Sequence, residues 1–143
     1  MHKLTCALLV DDDQTTNYLN QLLLNRLAVT DKLLTAVNGQ EALSLVEEHC
    51  RDASPSCPAL ILLDVKMPVM NGFEFLEAYA NLDLPRKHAI IIVMLTTSLH
   101  PQDMARMEQL NINGFLNKPL TKEKVNDILQ TYFDRHLPTS HPL

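Results

Sequence analysis

The sequence predicts an open α/β fold, in which a parallel β-sheet is covered by helices on both faces. Short, nearly continuous apolar runs recur along the chain, as strands that are buried on both faces require. Segments with apolar residues at helical spacing lie between these runs. Alternating strands and helices imply parallel strands joined by right-handed crossovers. Because a closed barrel of eight such units needs roughly 250 residues and this chain has 143, the open sheet is the prediction.

Five runs of the sequence are candidate strands. In chain order they cover residues 4–10, 32–37, 59–63, 89–95 and 114–117. Four of them are apolar and suit the interior of a parallel sheet. The run KLLTAV at residues 32–37 mixes polar and apolar side chains, so we expect that strand at an edge.

The candidate helices lie between these strands. Asp13 is placed to cap the first helix, Asn38 precedes the second, and Pro101 suits the first turn of the fourth. A third helix is predicted around residues 73–80, and Thr121 opens the last one. The apolar stripes that predict burial are Leu19, Leu22, Leu23 and Leu27 in the first helix, Ala42, Leu43, Val46 and Cys50 in the second, and Val125, Ile128, Leu129 and Tyr132 in the last.

Length and composition indicate a single globular domain. Apolar residues make up 46% of the chain and charged residues 20%, an ordinary balance for a folded protein. We expect the domain to cover residues 1–137 and residues 138–143 to form a short tail, with no output domain. The net charge of −5 disfavours nucleic acid and anionic membranes as partners. Since no apolar run approaches roughly 18 residues and no signal peptide opens the chain, we expect a soluble cytoplasmic protein.

The three cysteines predict no disulfide framework. Cys6, Cys50 and Cys57 are odd in number and lack CxxC spacing. Cys6 lies in an apolar run, so we expect it in the core. His49 beside Cys50 and Cys57 raises the alternative of a metal site, which is the weaker interpretation because these donors lack the spacing of known zinc sites.

Polar side chains follow four of the predicted strands, at the point where each strand ends. They are Asp11, Asp12 and Asp13 after the first strand, Asp64 after the third, Thr96 and Thr97 after the fourth, and Lys118, which precedes Pro119, after the fifth. In open α/β sheets, ligands bind outside the carboxyl ends of the strands, where the strand order reverses. The sequence therefore predicts that carboxylates, a hydroxyl and one cation meet there. Asp13 is the exception, because Asp is strongly favoured as a helix cap.

This set of side chains favours a magnesium site. Carboxylates that lie close together repel by about 4 kcal/mol per pair at an effective dielectric constant of 20, and a hard divalent cation removes that cost. Oxygen ligands in an incomplete protein cage are typical of Mg2+, and the absence of His and Cys from these strand ends disfavours zinc. With Mg2+ and Lys118 as anchors for a phosphoryl group, Asp64 can attack phosphorus and form an aspartyl phosphate.

Four motifs give the chain a family resemblance. They are LLVDDD at the first strand, LLDVKMPVMNG at the third, VMLTTS at the fourth and GFLNKPL at the fifth. By them the sequence resembles the receiver domain of two-component response regulators, and the resemblance extends over roughly residues 4–133, nearly the whole chain. The resemblance implies a flavodoxin-like fold with strand order 2-1-3-4-5.

The resemblance also implies a role for each strand-end residue. Asp64 would be the phosphoacceptor, and Asp11 and Asp12 the acidic pair, with Asp12 a direct Mg2+ ligand. The other implied roles are the backbone carbonyl of Lys66 as a Mg2+ ligand beside Asp64, the Thr96 hydroxyl as the group that turns toward the phosphoryl group, Phe115 as the aromatic switch, Lys118 as the phosphate-contacting cation, and a cis peptide bond between Lys118 and Pro119.

By the same resemblance we expect a signalling protein, and not an enzyme, because it would catalyse only its own phosphotransfer and dephosphorylation. A sensor histidine kinase or a histidine phosphotransfer protein would donate the phosphoryl group to Asp64. Phosphorylation would change the face built from the fourth helix, fifth strand and fifth helix (residues 101–110, 114–117 and 121–136), where a downstream protein would bind. We expect a monomer or a weak homodimer.

Three residues depart from the usual family pattern. Lys66 stands where the family often has a small polar residue, and Thr97 is larger than the Ala or Gly often found at its position. Phe115 lacks the hydroxyl of a Tyr, so packing would have to hold any inward state of its side chain. None of these changes removes a catalytic group, so they bear on the lifetime of the phosphate and not on its formation.

Three other interpretations compete with this one. A phosphorylation-independent interaction module would keep the fold without the chemistry, which the complete set of Asp12, Asp64, Thr96 and Lys118 disfavours. A phosphatase of the haloacid dehalogenase type would need a second Asp two residues after Asp64, where Lys66 stands. Nucleotide binding is poorly supported, since the chain has three glycines and neither GxGxxG nor a Walker A motif.

Overall fold

A computed structural model describes residues 3–52, 56–85, 87–97, 101–110, 112–135 and 137. Strands and helices alternate along the chain, as predicted. The strands are β1 (Leu4–Val10), β2 (Thr30–Ala36), β3 (Leu60–Asp64), β4 (Ile91–Thr96) and β5 (Gly114–Asn117). The helices are α1 (Gln14–Arg26), α2 (Gly39–Cys50), α3 (Gly72–Ala80), α4 (Pro101–Glu108) and α5 (Lys122–Phe133), and a short 3-10 helix at Lys87–Ala89 precedes β4.

The five strands form one parallel sheet in the order β2-β1-β3-β4-β5. This confirms the flavodoxin-like topology, with the mixed strand β2 at an edge. β3 extends to Asp64, so the acid is the last residue of the strand. The strand order reverses between β1 and β3, which puts the expected ligand site at the carboxyl ends of these two strands.

Apolar side chains of each strand alternate between the two faces of the sheet and build a core on both. On one face Ile61 and Leu63 pack with residues of α2, α3 and α4, and on the other Leu60 and Leu62 pack with residues of α1 and α5. The predicted stripe of α2 is fully buried. In α5 three of the four stripe residues are buried and Tyr132 is partly buried, so both stripes are confirmed.

The predicted burial of α1 is wrong in part. Leu19 and Leu22 are 56% and 42% exposed, whereas Asn17, Asn20 and Leu24 are buried. The reason is a polar contact: the Asn17 side chain donates hydrogen bonds to backbone carbonyls at the ends of β1 and β2, so its face of the helix turns toward the sheet. Because leucines lie on several sides of α1, the apolar stripe in the sequence did not determine which side is buried.

Side-chain caps determine where the helices begin. Asp13 accepts a hydrogen bond from the backbone N–H of Thr15. Asn38 and Thr121 cap α2 and α5 in the same manner, and α4 begins at Pro101. The predicted helix starts are therefore confirmed.

Cys50 and Cys57 form a disulfide bond, with Cα atoms 4.6 Å apart, so the prediction of no disulfide is wrong. Cys50 ends α2 and Cys57 lies in the loop that leads back to β3, and this reversal of the chain brings the two together. The Nδ1 atom of His49 lies 3.1 Å from Ser56 Oγ. Bonded to each other, the two sulfurs no longer provide the thiolates of the alternative metal site. Cys6 is buried and free, as expected.

The last residue that the structure describes is attached to α5. Leu137 is buried, and its backbone N–H donates to the Asn126 side chain at 2.8 Å. Residues 138–143, the predicted tail, lie outside the described residues, as does residue 136 of the predicted output face. Among the helices that the structure describes, none has the length and apolar character needed to cross a membrane.

Candidate functional site

Three carboxylates meet at the carboxyl ends of β1 and β3. Asp64 ends β3 and is 7% exposed, Asp11 follows β1 directly and is buried as well, and Asp12 is exposed. One oxygen of each carboxylate lies within 4.8 Å of the other two. Over the described part of the chain, no other group of three His, Cys, Asp or Glu side chains converges in this way.

Lys118 reaches this cluster from the β5 edge of the sheet. Its Nζ atom lies 2.5 Å from Asp11 Oδ2 and 3.3 Å from Asp64 Oδ1. Its backbone N–H donates to the Thr96 carbonyl at 2.8 Å, which continues the β4–β5 pairing beyond β5. The Lys118–Pro119 peptide bond that follows is cis. Side chains from three strands, far apart in sequence, therefore share one pocket.

Local packing holds Asp64 in place. Its Oδ1 atom accepts a hydrogen bond from the Val65 N–H at 2.9 Å. Gly72, the first residue of α3, donates its N–H to the Val65 carbonyl at 2.9 Å. A Cβ atom on Gly72 would lie 2.5 Å from the Asp64 carbonyl oxygen. Glycine thus allows α3 to begin directly against the end of β3.

The loop between β3 and α3 is strained at Val69. This residue has a φ of 67° and is 80% exposed. A hydrogen bond of 2.7 Å from the Met70 N–H to the Pro68 carbonyl closes a γ-turn around it. Left-handed backbone is a genuine outlier for a β-branched residue. The Met70 carbonyl accepts a hydrogen bond from the Gly39 N–H at 2.7 Å, which attaches the strained loop to α2.

The pocket holds more negative than positive charge. Burial raises the pKa of the Asp64 carboxyl from 3.8 to about 6, and the charge of Asp11 adds to this effect, while Lys118 and the Val65 N–H oppose it. Burial acts to lower the pKa of Lys118, but its hydrogen bond to Asp11 and the charges of Asp64 and Asp11 outweigh burial and raise that pKa. A perturbed carboxyl beside a specific charged partner in a cleft is typical of functional sites.

The donor atoms of the pocket fit Mg2+. Asp11, Asp12 and Asp64 present carboxylate oxygens, and Lys118 neutralises only one of the three charges. Mg2+ prefers oxygen ligands and is usually held by one or two carboxylates with waters completing its shell. The exposed position of Asp12 keeps one side of the cluster open for this purpose.

An open cavity of about 490 Å3 borders the carboxylates. Asp12, Lys66, Asp103 and Arg106 are its charged lining residues. The Arg106 guanidinium lies 4.0 Å from the centroid of the Phe73 ring, which joins α4 to the first turn of α3. Lys66 is exposed and makes no ion pair with a residue that the structure describes. Its ammonium is therefore available to a group bound in the cavity.

The two predicted switch residues lie on neighbouring strands. Thr96 ends β4 and is buried, and Phe115 in β5 is partly buried against the core that also contains Met94. Phe115 is the register partner of Met94. Thr97 is exposed and lines a groove together with Lys118. Because one arrangement is described, switching itself stays a prediction.

A groove of about 480 Å3 runs between α1 and the loop that follows β5. Leu19, Leu23 and Lys118 are among its lining residues. On the adjoining surface of α1, Tyr18 and Leu22 are also exposed. Exposed apolar side chains of α1 therefore stand beside the cation of the pocket, a juxtaposition that the sequence did not predict.

Two side chains that brace the pocket were also missed by sequence reasoning. Asn17 Nδ2 donates to the Asp11 carbonyl at 2.9 Å and to the carbonyl that ends β2 at 3.1 Å. Lys124 Nζ donates to the carbonyls of Asn117 and Pro119, at 2.7 and 2.9 Å. For Asn17 the sequence carries no signal. For Lys124 the signal is a cation in the first turn of a helix, where acids are favoured.

The fold and the acidic pocket define a receiver domain, and sequence comparison agrees. Residues 7–130 match the family described as response regulator receiver domain. The match covers most of the chain, so this protein belongs to that family. Receiver domains bind Mg2+ at an acidic site, and they interact with histidine kinases and downstream targets.

Named relatives are consistent with this assignment. Two-component response regulator 24 of Arabidopsis thaliana is 34% identical over 127 residues, which cover 89% of this chain and 82% of that protein. The crystal structure of a two-component response regulator from Cytophaga hutchinsonii superposes with a TM-score of 0.82 at 27% identity, covering 94% of this chain and 100% of that one. The phosphorylated cyanobacterial phytochrome response regulator RcpA gives a TM-score of 0.74 at 27% identity, over 97% of this chain and 100% of that one.

Proposed function

We propose that this chain accepts a phosphoryl group on Asp64 from a phosphohistidine of a partner protein and then binds a downstream target. The observation that carries the proposal is the contact of Lys118 with both Asp64 and Asp11 inside the carboxylate cluster. On this proposal the chain is a cytoplasmic signalling protein, and it catalyses only its own phosphotransfer and dephosphorylation. A solved relative that is phosphorylated, RcpA, supports the same chemistry.

The residues that would hold Mg2+ are Asp11, Asp12 and Asp64, with the backbone carbonyl of Lys66 as a further ligand. When bound, the cation would neutralise the carboxylates and polarise the oxygens of the incoming phosphoryl group. The pocket residues then have to orient the two reacting atoms. This division of labour suits phosphoryl transfer, in which positioning and electrostatic stabilisation supply most of the catalysis.

Asp64 is placed to act as the nucleophile. Among the described residues its carboxylate contacts are both to Oδ1, from Val65 and Lys118, so we expect Oδ2 to attack phosphorus. The new Oδ2–P bond would form as the P–N bond to the donor imidazole breaks, and the imidazole would leave with the electron pair. Lys118, with its raised pKa, stays charged at neutral pH and can bind a phosphoryl oxygen.

The phosphoryl group would change the charge of the pocket enough to shift a conformational equilibrium. It adds about −1.5 to −2 charges at neutral pH. A hydrogen bond from the buried Thr96 hydroxyl to that group would contribute roughly 1.5–3 kcal/mol, comparable to the 1–3 kcal/mol typical of allosteric coupling. Phe115 would repack with it. The output face would then be α4, β5 and α5.

The groove between α1 and the loop after β5 is the surface that favours docking of the phosphodonor. Leu19 is exposed and lines this groove together with Lys118, which contacts Asp64, and Leu22 is exposed on the same helix. A partner that covered these leucines would bring its phosphohistidine to the pocket. The donor and the downstream target would therefore use different faces of the domain.

Phosphorylation by a small-molecule donor tests the central step. Acetyl phosphate with Mg2+ should add the mass of one phosphoryl group to the intact chain, and Asp64→Asn should abolish the addition. Asp13→Asn is the matched control, because it removes a nearby acid that caps α1 and lies outside the carboxylate cluster.

Two outcomes would redirect the assignment. If the wild-type chain gains no phosphoryl mass from acetyl phosphate or from purified kinases, a phosphorylation-independent interaction module becomes the better description. Turnover of a generic phosphomonoester that depends on Asp64 would instead indicate a phosphatase.

A further inference from the structure

We infer that Lys124 is a positioning residue, which fixes the loop that presents Lys118 to Asp64. The kinetic part of this inference rests on the proposed function. The structural part concerns only where the Lys118 ammonium is held, and it can be tested without any phosphoryl transfer.

The contacts of Lys124 enclose Lys118 from both sides along the chain. Its Nζ atom donates to the carbonyl of Asn117 at 2.7 Å and to that of Pro119 at 2.9 Å. These are the carbonyls of the two residues that flank Lys118. On the other side of the loop, the Lys118 N–H donates to the Thr96 carbonyl at 2.8 Å. The backbone of residue 118 is thus held by β4 on one side and by α5 on the other.

The position of Lys124 in α5 supports a specific role. Thr121 caps this helix by accepting a hydrogen bond from the Lys124 N–H, so Lys124 occupies the third helical position. A Glu or Gln at that position would complete a capping box with Thr121. A cation there opposes the helix dipole. A residue that is unfavourable for its helix is expected to make a compensating interaction elsewhere. For Lys124 that interaction is the pair of hydrogen bonds from its ammonium to the loop after β5.

The consequence for the pocket follows from how few contacts position Lys118. Its ammonium must lie against both Asp11 and Asp64, and Lys118 itself follows directly after a four-residue strand at the edge of the sheet. Without the Lys124 ammonium, the two flanking carbonyls would turn to water and the loop would sample more conformations. A displacement of 1 Å in a reacting group can cost up to about 100-fold in rate.

Three variants separate positioning from charge. Lys124→Met removes the ammonium and keeps most of the side-chain length, and Lys124→Arg restores a donor. Lys122→Met is the matched control, because it removes the same charge from the same turn of α5, and the Lys122 ammonium makes no hydrogen bond to a described residue. Thermal unfolding of each variant establishes that it folds.

Chemical labelling of lysine amines measures the first readout without phosphate. Peptide mapping after limited reductive methylation should show that Lys118 reacts several-fold faster in Lys124→Met than in the wild type. Lys122→Met should leave the rate unchanged, and Lys124→Arg should return it toward the wild-type value. Equal labelling of Lys118 in all four proteins, or equal acceleration in Lys124→Met and Lys122→Met, would overturn the inference.

Phosphorylation by acetyl phosphate supplies the second readout. We expect Lys124→Met to lower the rate constant at saturating donor by about tenfold, with the half-saturating Mg2+ concentration unchanged and Lys124→Arg close to wild type. An unchanged rate constant would overturn the kinetic part. If the wild-type chain is not phosphorylated at all, the proposed function fails, while the labelling of Lys118 still decides whether Lys124 positions it.

Discussion

The two sides of the acceptor pocket are built differently. The buried side (Asp11, Asp64 and Lys118) consists of side chains that are held by one another and by backbone groups at short distances. The open side (Asp12, Lys66 and the Val69 turn) is exposed, and in the described part of the chain its two charged residues make no ion pair. Both sides belong to the same site, yet only one of them is already assembled.

The difference separates two physical tasks. Phosphoryl transfer needs its nucleophile and its cation fixed in advance, because catalysis here is mainly positioning and electrostatics. A cation and a phosphoryl donor have to enter and leave, which a fully buried pocket would prevent. The buried side therefore keeps charged groups away from water, which lowers the stability of the fold. The open side lets the cation and the phosphoryl donor enter and leave. Four substitutions test this difference between the two sides of the pocket.

The largest expected effect is a gain of stability from Asp64→Asn. Because the fold raises the pKa of Asp64 from 3.8 to about 6, the folded state binds this proton more tightly than the unfolded chain. The contribution of Asp64 to the free energy of unfolding is therefore most favourable below pH 4, and this contribution is lost as the pH rises through 6. At pH 8, with a chelator present, we expect the variant to unfold in urea with a free energy roughly 3 kcal/mol above that of the wild type.

The pH dependence identifies the cause of that gain. At pH 3 both proteins carry a neutral side chain at position 64, so their free energies of unfolding should agree. Addition of Mg2+ at pH 8 should stabilise the wild type and leave the variant nearly unchanged. If the variant is equally stabilised at pH 3 and pH 8, ionisation of the buried Asp64 carboxyl does not destabilise the wild type.

The next effect is a loss of stability from Gly72→Ala. The added Cβ would lie 2.5 Å from the Asp64 carbonyl oxygen, a backbone atom that cannot move without shifting the end of β3. We expect the free energy of unfolding to fall by about 2 kcal/mol and phosphorylation to slow. Gly114→Ala is the control, because its added Cβ meets the hydroxyl end of the Tyr132 side chain, which can rotate away by giving up its hydrogen bond to the Asn113 carbonyl while the backbone stays in place. An equal loss in both variants would contradict the special rigidity of the buried side.

Val69→Asn tests the open side and should be stabilising. Val69 has a φ of 67° and is 80% exposed, so the substitution removes a strained β-branched residue without removing a core contact. Asn tolerates left-handed backbone, and we expect a gain of about 1 kcal/mol in urea unfolding. Val69→Ala, which keeps an ordinary side chain at the same φ, should gain less. Loss of phosphorylation in Val69→Asn would indicate that the strain itself serves the reaction.

Lys66→Met should have the smallest effect on stability. The side chain is exposed and lines the cavity with Asp12, so we expect the free energy of unfolding to change by less than about 0.5 kcal/mol. The lifetime of the phosphoryl group should shorten a few-fold, because a cation near that group hinders the approach of water. Decay of labelled phosphate measures it, with Lys122→Met as the charge-matched control. Equal lifetimes of the phosphoryl group in all three proteins would show that Lys66 does not protect that group from water.

Most of the fold could be predicted from the sequence. The strands β1, β3 and β4 could be recognised as apolar runs, because parallel strands that are buried on both faces contain few polar residues. The stripes of α2 and α5 identified their buried faces correctly. α1 was misjudged because its orientation is decided by Asn17, a polar residue that bonds to two strand ends. Hydrophobic periodicity does not register a contact of that kind.

The position of the site was also predictable, since the strand ends of a parallel sheet share one edge. The positions of Asp11, Asp64 and Lys118 follow from that rule alone. The contacts of Lys124 with the loop after β5, the γ-turn at Val69 and the Cys50–Cys57 disulfide could not be predicted. Each depends on where a loop reverses, and loop geometry is set by neighbours that are distant in sequence.

The amino-acid sequence is sufficient to predict the class of fold, the strand ends that carry chemistry and the family to which the chain belongs. These depend on short-range patterns: apolar runs, caps, and polar residues directly after strands. The folded structure was needed to establish which leucines of α1 are exposed, how deeply Asp64 is buried and which groups hold Lys118. Those properties arise from packing between elements, because exposure, a shifted pKa and a braced loop are relations among residues that meet only in the folded chain.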